Sequence, residues 1–201
     1  MTMAEPDDVV DALAGIVPGS PLDAIRARRP EARDQAQASY RALFAPASPG
    51  GFTPVERFAL ARFVAGLHAE PEIAAFHGAR LAANGASAAL VAAVDAAVAA
   101  GRTAGPYGDF PAGPLTPENA PGPSYDVGGD AAALGPRLAA AFGHAHMLVF
   151  HPRDAAPAAL GALLDAGWST TEIVTLSQIV AFLSFQIRMI RGLRVLAASP
   201  A

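Results

Sequence analysis

Residues 53–77 read TPVERFALARFVAGLHAEPEIAAFH, and this stretch decides the predicted fold. Thr53 and Glu56 stand three positions apart at its start, where each side chain can bond the backbone amide of the other and begin a helix. That helix is expected to run to about His68, because Pro71 lacks the amide hydrogen that a continuing helix needs. The stretch therefore predicts two successive helices with a break between them.

The second helix is expected from about Glu70 to Asn84-Gly85, a pair that commonly ends a helix. One side of this helix carries Ile73, Phe76, His77 and Leu81. A third helix, rich in alanine and valine, is expected from Ser87 to Gly101.

Composition favours an all-α protein with a single domain over residues 1–201. Hydrophobic residues make up 52% of the chain, but many are alanine, which has the highest helix propensity and buries little area. No alternation of apolar and polar residues indicates a strand. Because Ala-rich helices carry few large side chains, we expect apolar faces that self-association would cover, and hence a homo-oligomer.

Both ends of the chain are also predicted to be helical. Residues 1–46 predict two or three short helices, one of them capped by Ser20. Residues 131–196 predict three more, and the last begins at a capping box from Ser169 to Glu172. Because this last helix is apolar nearly all round, it is expected at the centre of a bundle or between subunits.

Between these helical halves, residues 101–130 contain 13 glycines and prolines. Such a composition predicts a loop or extended arm rather than a packed element. Tyr107, Phe110 and Tyr125 are expected to anchor it. A loop of this length is often functional or wraps a partner subunit.

Charge and hydropathy set the expected partners and location. The formal net charge is −4 and all 14 basic residues are arginine, which does not predict nucleic-acid binding. The cluster Arg26, Arg28, Arg29 and Arg33 is flanked by acids and is interpreted as a solvated helix face. The acidic start lacks a signal sequence, and five polar residues interrupt the apolar stretch 173–187. A cytoplasmic protein without a membrane span is therefore expected.

The central helices resemble a known family. Val64-Ala65-Gly66-Leu67-His68-Ala69-Glu70-Pro71-Glu72-Ile73-Ala74-Ala75-Phe76-His77 is similar to V-A-A-L-N-G-C-x-x-C-x-x-x-H, the active-site helix of the AhpD-like/carboxymuconolactone decarboxylase superfamily. Residues 52–58 resemble its L-S-P-x-E-R-E lead-in, and residues 163–173 its turn into a long helix. The resemblance covers about residues 52–100 and 131–196 and is nearest to the peroxidase-related branch. It implies an AhpD-like helical bundle.

In the thiol peroxidases of this family, a glutamate, two cysteines and a histidine form a proton relay around a reactive thiolate. Carried over by position, the glutamate falls on Phe58, the cysteines on Glu70 and Ile73, and the histidine on His77. The chain contains no cysteine, so it can form neither a sulfenic acid nor a disulfide. The resemblance thus implies an alkylhydroperoxidase-like, antioxidant-related protein without thiol peroxidase activity of its own.

Acid–base chemistry is what such a site can retain. Positions 70, 73 and 77 are spaced to share a helix face, so Glu70 and His77 are the candidate catalytic residues. The alternative is that Glu70 serves the helix start and His77 is a hydrogen-bonded core histidine. Candidate binding residues are His68, on the preceding turn, and Arg188, which anchors an anion or lies along a subunit interface.

The remaining histidines do not predict a metal site. His144 and His146 are two positions apart on a helix and point in different directions, and His151 lies beyond the helix end. No carboxylate stands at ligand spacing, so a structural or binding role is expected. No metal and no cofactor are predicted.

Two classes of function compete. A thiol-free peroxidase-related or decarboxylase-like enzyme, acting on a small acid or hydroperoxide, predicts that Glu70 and His77 face one solvent-reachable pocket. A non-catalytic oligomeric relative that binds a small molecule or a partner protein predicts a closed, apolar environment around Ile73 and His77 with unperturbed titration. A cysteine-bearing relative acting as a partner would restore thiol chemistry.

Overall fold

The computed structural model describes residues 4–127 and 131–199, and within them the protein is all-α, as predicted. Its helices are α1 (Val9–Ala14), α2 (Pro21–Ala27), α3 (Pro30–Phe44), α4 (Pro54–Leu67), α5 (Pro71–Ala83), α6 (Ala88–Gly101), α7 (Ala131–Phe150), α8 (Pro157–Asp165) and α9 (Thr170–Ala198). One isolated bridge, between Gly108 and Ala120, is the only β pairing in the described residues. The last residues of the predicted loop, 128–130, lie outside the described part of the chain.

The predicted helix starts are confirmed in atomic detail. Thr53 accepts a hydrogen bond from the Glu56 amide at 3.2 Å, and the Glu56 carboxylate accepts one from the Thr53 amide at 2.9 Å. Ser169 and Glu172 repeat this box at the start of α9, at 3.3 and 2.8 Å. Between α4 and α5 the chain turns through Ala69, whose φ of 57° is left-handed.

The centre of the bundle is α4, which packs against α5, α6, α7 and α9. Its core residues have no exposed surface: Ala59, Leu60, Ala61, Phe63, Val64 and Ala65. Of the two positions expected for the last helix, the centre of the bundle or a site between subunits, the first is occupied by α4 within a single chain. α9 buries one face and exposes the other, where Val174 is 57% and Phe185 62% exposed.

α9 also passes a simple test for a membrane span. Its most apolar window has a mean hydropathy of 1.6, and 44% of that window is buried inside the protein. The core helix of a globular protein passes the same test, so length and hydropathy are weak evidence for a span here.

The arginine cluster near the N-terminus is not the uniform solvated face that its charge pattern predicts. Arg28 and Arg29 are exposed, but Arg26 and Arg33 form ion pairs that tie α1, α2 and α3 together. Their carboxylate partners are Asp8, Asp11 and Asp23. The charge pattern alone does not separate the exposed arginines from the ion-paired ones, because the difference depends on which side chains face the neighbouring helices.

The Gly/Pro-rich segment between the helical halves is a loop, as predicted, but both of its described ends are packed. The Tyr107 amide donates to the Phe150 carbonyl at 2.9 Å, and the Tyr107 side chain is buried. The Tyr125 hydroxyl donates to the Ala97 carbonyl at 3.3 Å. Phe110 is half-buried beneath a guanidinium, so the predicted anchors all contact the protein.

Candidate functional site

His77 is enclosed by aromatic rings on the inner side of α5. It has no exposed surface, and the ring centroids of Phe76, Phe44 and Phe58 lie 5.1, 5.4 and 6.3 Å from that of its imidazole. Neither ring nitrogen has a hydrogen-bond partner in the described part of the chain. Burial, assisted by the nearby charge of Arg80, lowers the pKa of His77 to about 3. The imidazole is therefore neutral at physiological pH, and it is not the hydrogen-bonded core histidine of the alternative prediction.

Glu70, the second candidate catalytic residue, faces a different environment. It occupies the N-cap of α5 with φ −109° and ψ 83°, and its side chain makes no capping hydrogen bond. Because this backbone is not helical, the spacing rule that predicts a face shared with His77 does not apply. Its carboxylate instead pairs across to α9, with Arg191 at 3.0 Å and Arg194 at 3.5 Å.

No described pocket is lined by both candidate catalytic residues. Glu70 lines a pocket of about 340 Å³ together with Gly66 and Val98, and His77 is not part of its wall. His77 has no exposed surface and Glu70 is paired with Arg191 of α9, so these two side chains do not face the shared, solvent-reachable pocket that the enzyme hypothesis predicts.

The two predicted binding residues lie close to the Glu70 ion pairs. His68 ends α4, and its Nε2 lies 3.1 Å from the hydroxyl of Ser184 on α9. Burial, and to a smaller extent the charges of Arg188 and Arg191, lowers the pKa of His68 to about 4. Arg188 is exposed and donates to the Ser184 carbonyl at 2.8 Å. The structure thus gathers His68, Glu70 and Arg188 where the α4–α5 turn meets α9, and it leaves the histidine of α5 in the interior.

A second pocket lies beside the aromatic cage. It measures about 360 Å³, and its wall includes Phe44 and Phe58, the rings that shield His77 from it. Tyr40, Arg80 and Asn84 contribute polar groups to its wall. Burial raises the pKa of Tyr40 to about 12, so its hydroxyl is neutral. The wall of the pocket therefore combines aromatic rings with hydrogen-bonding groups.

Arg80 supplies the positive charge of this pocket. It is 8% exposed, and its guanidinium carbon lies 3.5 Å from the centroid of the Phe76 ring. Its one hydrogen bond to a backbone group, to the Phe76 carbonyl, is long at 3.4 Å. No carboxylate forms an ion pair with it among the described residues. Glu5 also lines the pocket, but its carboxylate lies 2.7 Å from Arg41.

Arg80 is not singled out by the sequence pattern. The available signal is a basic residue three positions after His77, in a helix that is otherwise mostly apolar. That signal is weak, because arginine side chains are mostly exposed in folded proteins and a single arginine on a helix is therefore expected to be solvated.

A different pair of histidines lies at the base of the loop. Nε2 of His146 is 3.0 Å from the Gly101 carbonyl, and its ring stacks on Tyr125 with centroids 4.4 Å apart. Nδ1 of His146 lies 3.4 Å from Nε2 of His151, whose Nδ1 is 2.9 Å from the Asp154 carboxylate. These contacts support the structural role expected for this pair.

His144, the third histidine of that segment, also has a partner, since its Nε2 lies 3.1 Å from the hydroxyl of Ser177. Within residues 4–127 and 131–199, no group of three histidine, aspartate or glutamate side chains is arranged to hold a metal ion.

Comparison of the chain with protein-family models, with curated proteins and with solved structures gives no match. The all-α class therefore rests on the structure, whereas the AhpD-like assignment and the function are proposals.

Proposed function

We propose that this chain is an AhpD-like protein without thiol chemistry, whose function is to bind a small organic acid in the pocket beside His77. The observation that carries the proposal is Arg80, a mostly buried cation that lines an aromatic pocket and has no carboxylate partner among the described residues. A ligand with one carboxylate and a compact apolar body would pair with Arg80 and rest against Phe44 and Phe58.

The energetics favour an anion at this position. A buried charge without an opposite charge is unfavourable, and a hydrogen bond between charged groups contributes about 1.5–3 kcal/mol. The pocket volume of about 360 Å³ also falls in the range that is common for small-molecule sites. Stacking of the Arg80 guanidinium on Phe76 holds its plane in place, so little side-chain entropy is lost when a carboxylate binds.

Binding is better supported than catalysis by the geometry around His77. A general acid or base must lie within hydrogen-bond reach of its substrate, and Phe44 and Phe58 separate His77 from the pocket. The closed, apolar environment is what the binding hypothesis predicts for this position. The lowered pKa of His77 departs from that hypothesis, which expects unperturbed titration, but it follows from the same burial.

The experiment is a calorimetric titration at pH 7 with phenylacetate and with phenylacetamide, which has nearly the same shape and no charge. We expect phenylacetate to bind and the amide to bind at least ten-fold more weakly. Arg80→Gln should weaken phenylacetate binding about 10- to 100-fold, since about 1.5–3 kcal/mol is lost. Arg28→Gln is the matched control, because Arg28 is exposed and distant from the pocket in sequence, and it should bind as the wild type does.

A hydroperoxide assay separates binding from the enzyme hypotheses. Cumene hydroperoxide should not be consumed above blank, with or without a dithiol, by the wild type or by His77→Ala. Turnover that disappears in His77→Ala would contradict the proposal in favour of a peroxidase. Equal binding of acid and amide, or phenylacetate binding unchanged in a folded Arg80→Gln, would also overturn it.

A further inference from the structure

α9 carries an exposed stripe whose positions are alternately four and three residues apart. The stripe consists of Val174, Gln178, Ala181, Phe185, Arg188, Gly192 and Val195, all exposed. The inner face has the same kind of spacing, in Ile173, Leu176, Val180, Leu183, Ile187 and Ile190, all buried. Such 3.5-residue repeats are typical of helices that pair along a seam. α9 thus has two seams, and the part of the chain that the structure describes covers the inner one and leaves the outer one exposed.

An apolar groove continues the outer seam toward α8. It measures about 610 Å³, and its wall includes Leu160, Leu164, Val174 and Ala181. Leu160 and Leu164 are 47% and 48% exposed. A contiguous apolar surface of this kind is unusual on a monomer and often marks an interface.

We propose that the outer seam of α9 pairs with the same seam of a second copy, antiparallel, with the two-fold axis at Phe185. This inference goes beyond the proposed ligand site and does not depend on it. In this register Phe185 meets itself, Val174 meets Val195 of the second copy, and Ala181 meets Arg188. The small side chains at Ala181 and Gly192 allow the two helices to approach closely.

The charges of α9 favour a second copy in the antiparallel direction. Residues 170–187 carry one charged side chain, Glu172, whereas residues 188–194 carry three arginines. Arg191 and Arg194 pair with Glu70, whereas Arg188, which lies on the outer seam, forms no ion pair among the described residues. A parallel pair would place the two copies of Arg188 side by side, which like-charge repulsion disfavours. An antiparallel pair places each basic end beside the half of its neighbour that has no cation.

The available area corresponds to a small interface between two copies. The stripe from Val174 to Val195 is about 32 Å long at the rise of an α-helix. At about 10 Å wide, the stripe covers roughly 320 Å², and α8, which has nine residues and is about 14 Å long, adds roughly 140 Å². The sum is roughly 460 Å² per copy, smaller than the ~800 Å² per partner of standard interfaces. Val195 and Leu196 of the second copy, which are 68% and 49% exposed, would reach the groove of Leu160 and Leu164.

The absence of cysteine makes the register directly testable, because every thiol in a variant is then an introduced one. Phe185→Cys should form a disulfide dimer on mild oxidation, and so should the double variant Val174→Cys/Val195→Cys. Val174→Cys alone should not, since its two copies would be about 33 Å apart. Ala27→Cys, at an exposed position on α2, is the control and should stay monomeric on a denaturing gel.

Sedimentation equilibrium of the unmodified protein gives the second readout. The wild type should have twice the 20.4 kDa mass of one chain, and Phe185→Glu, a change at an exposed position, should be a monomer with an unchanged circular dichroism spectrum. A monomeric wild type, or a Phe185→Glu dimer, would overturn the proposal. Crosslinking of Val174→Cys alone would overturn the antiparallel register, and a monomer that floats with lipid vesicles would assign the seam to a membrane instead.

Discussion

His77 and His146 are both buried histidines, and the protein holds them in opposite ways. His146 donates to the Gly101 carbonyl, stacks on Tyr125 and is joined to His151. His77 is surrounded by phenylalanine rings and has no hydrogen-bond partner among the described residues. Burial of a histidine therefore does not define its role, because the imidazole of His146 uses its polar atoms to hold the fold and that of His77 does not.

The same contrast bears on function. His146 connects α7 to the end of α6 and to the loop, so its presence is explained by the contacts it makes. His77 makes no such contact, and burial of its two unpartnered nitrogens is unfavourable. Its position is therefore not explained by hydrogen bonding, and under the proposed function it lies beside the ligand pocket.

The largest expected effect is on the pH dependence of stability. The pKa of His77 is about 3 in the folded protein, and a histidine in an unfolded chain has a pKa near 6.5. Below pH 6.5 the unfolded chain binds a proton that the folded protein does not, so stability present above that pH is lost as the pH falls. We expect His77 alone to lower the free energy of unfolding by about 3 kcal/mol between pH 6.5 and 4.

Urea unfolding at a series of pH values measures this loss. His68 and His146, whose pKa values are also lowered to about 4, act in the same direction. His77→Leu should therefore flatten the profile without abolishing its slope. An identical slope in wild type and His77→Leu would show that His77 titrates normally in the folded protein.

A smaller effect is expected from His146→Leu at pH 7, which should lower the free energy of unfolding by about 2 kcal/mol. The change removes the donor to the Gly101 carbonyl and leaves that buried oxygen unpaired, which is unfavourable by about 1–3 kcal/mol. It also removes the stacking with Tyr125. Chemical denaturation gives the value, and unchanged stability would show that water replaces the imidazole at no loss.

The smallest expected change in the free energy of unfolding is an increase rather than a decrease. His77→Leu at pH 7 should raise the free energy of unfolding by about 1 kcal/mol, because it replaces unpartnered polar atoms with apolar surface of similar volume and breaks no hydrogen bond. The same denaturation experiment compares it with His146→Leu. A lower free energy of unfolding in both His77→Leu and His146→Leu would show that both imidazoles stabilise the fold, and it would contradict the contrast drawn between them.

Local signals account for the parts of the fold that the sequence predicts. The capping boxes at Thr53 and Ser169 and the break at Pro71 depend on residues close in sequence, and all three are found as expected. The position of α9 could not be predicted in the same way. Its apolar composition does not distinguish a central helix from one with an inner and an outer seam, which depends on how many helices surround it.

The candidate site shows where sequence spacing stops being informative. Positions 70 and 77 suggest one helix face, but α5 begins at Pro71, so Glu70 turns toward the arginines of α9. Arg80 becomes part of a pocket only because α3 brings Tyr40 and Phe44 against α5. Such long-range packing leaves no periodic signal in a single sequence.

The central claim is that the imidazole of His77 is neutral and buried away from the solvent. The measurement that tests it most directly is the pH titration of the His77 imidazole by ¹⁵N NMR, assigned by comparison with His77→Leu. We expect the two nitrogen shifts of His77 to stay those of a neutral ring from pH 8 down to about pH 4.5, since its folded pKa is about 3. A titration with a midpoint near 6.5, the ordinary value for histidine, would contradict the claim and reopen acid–base catalysis at this position.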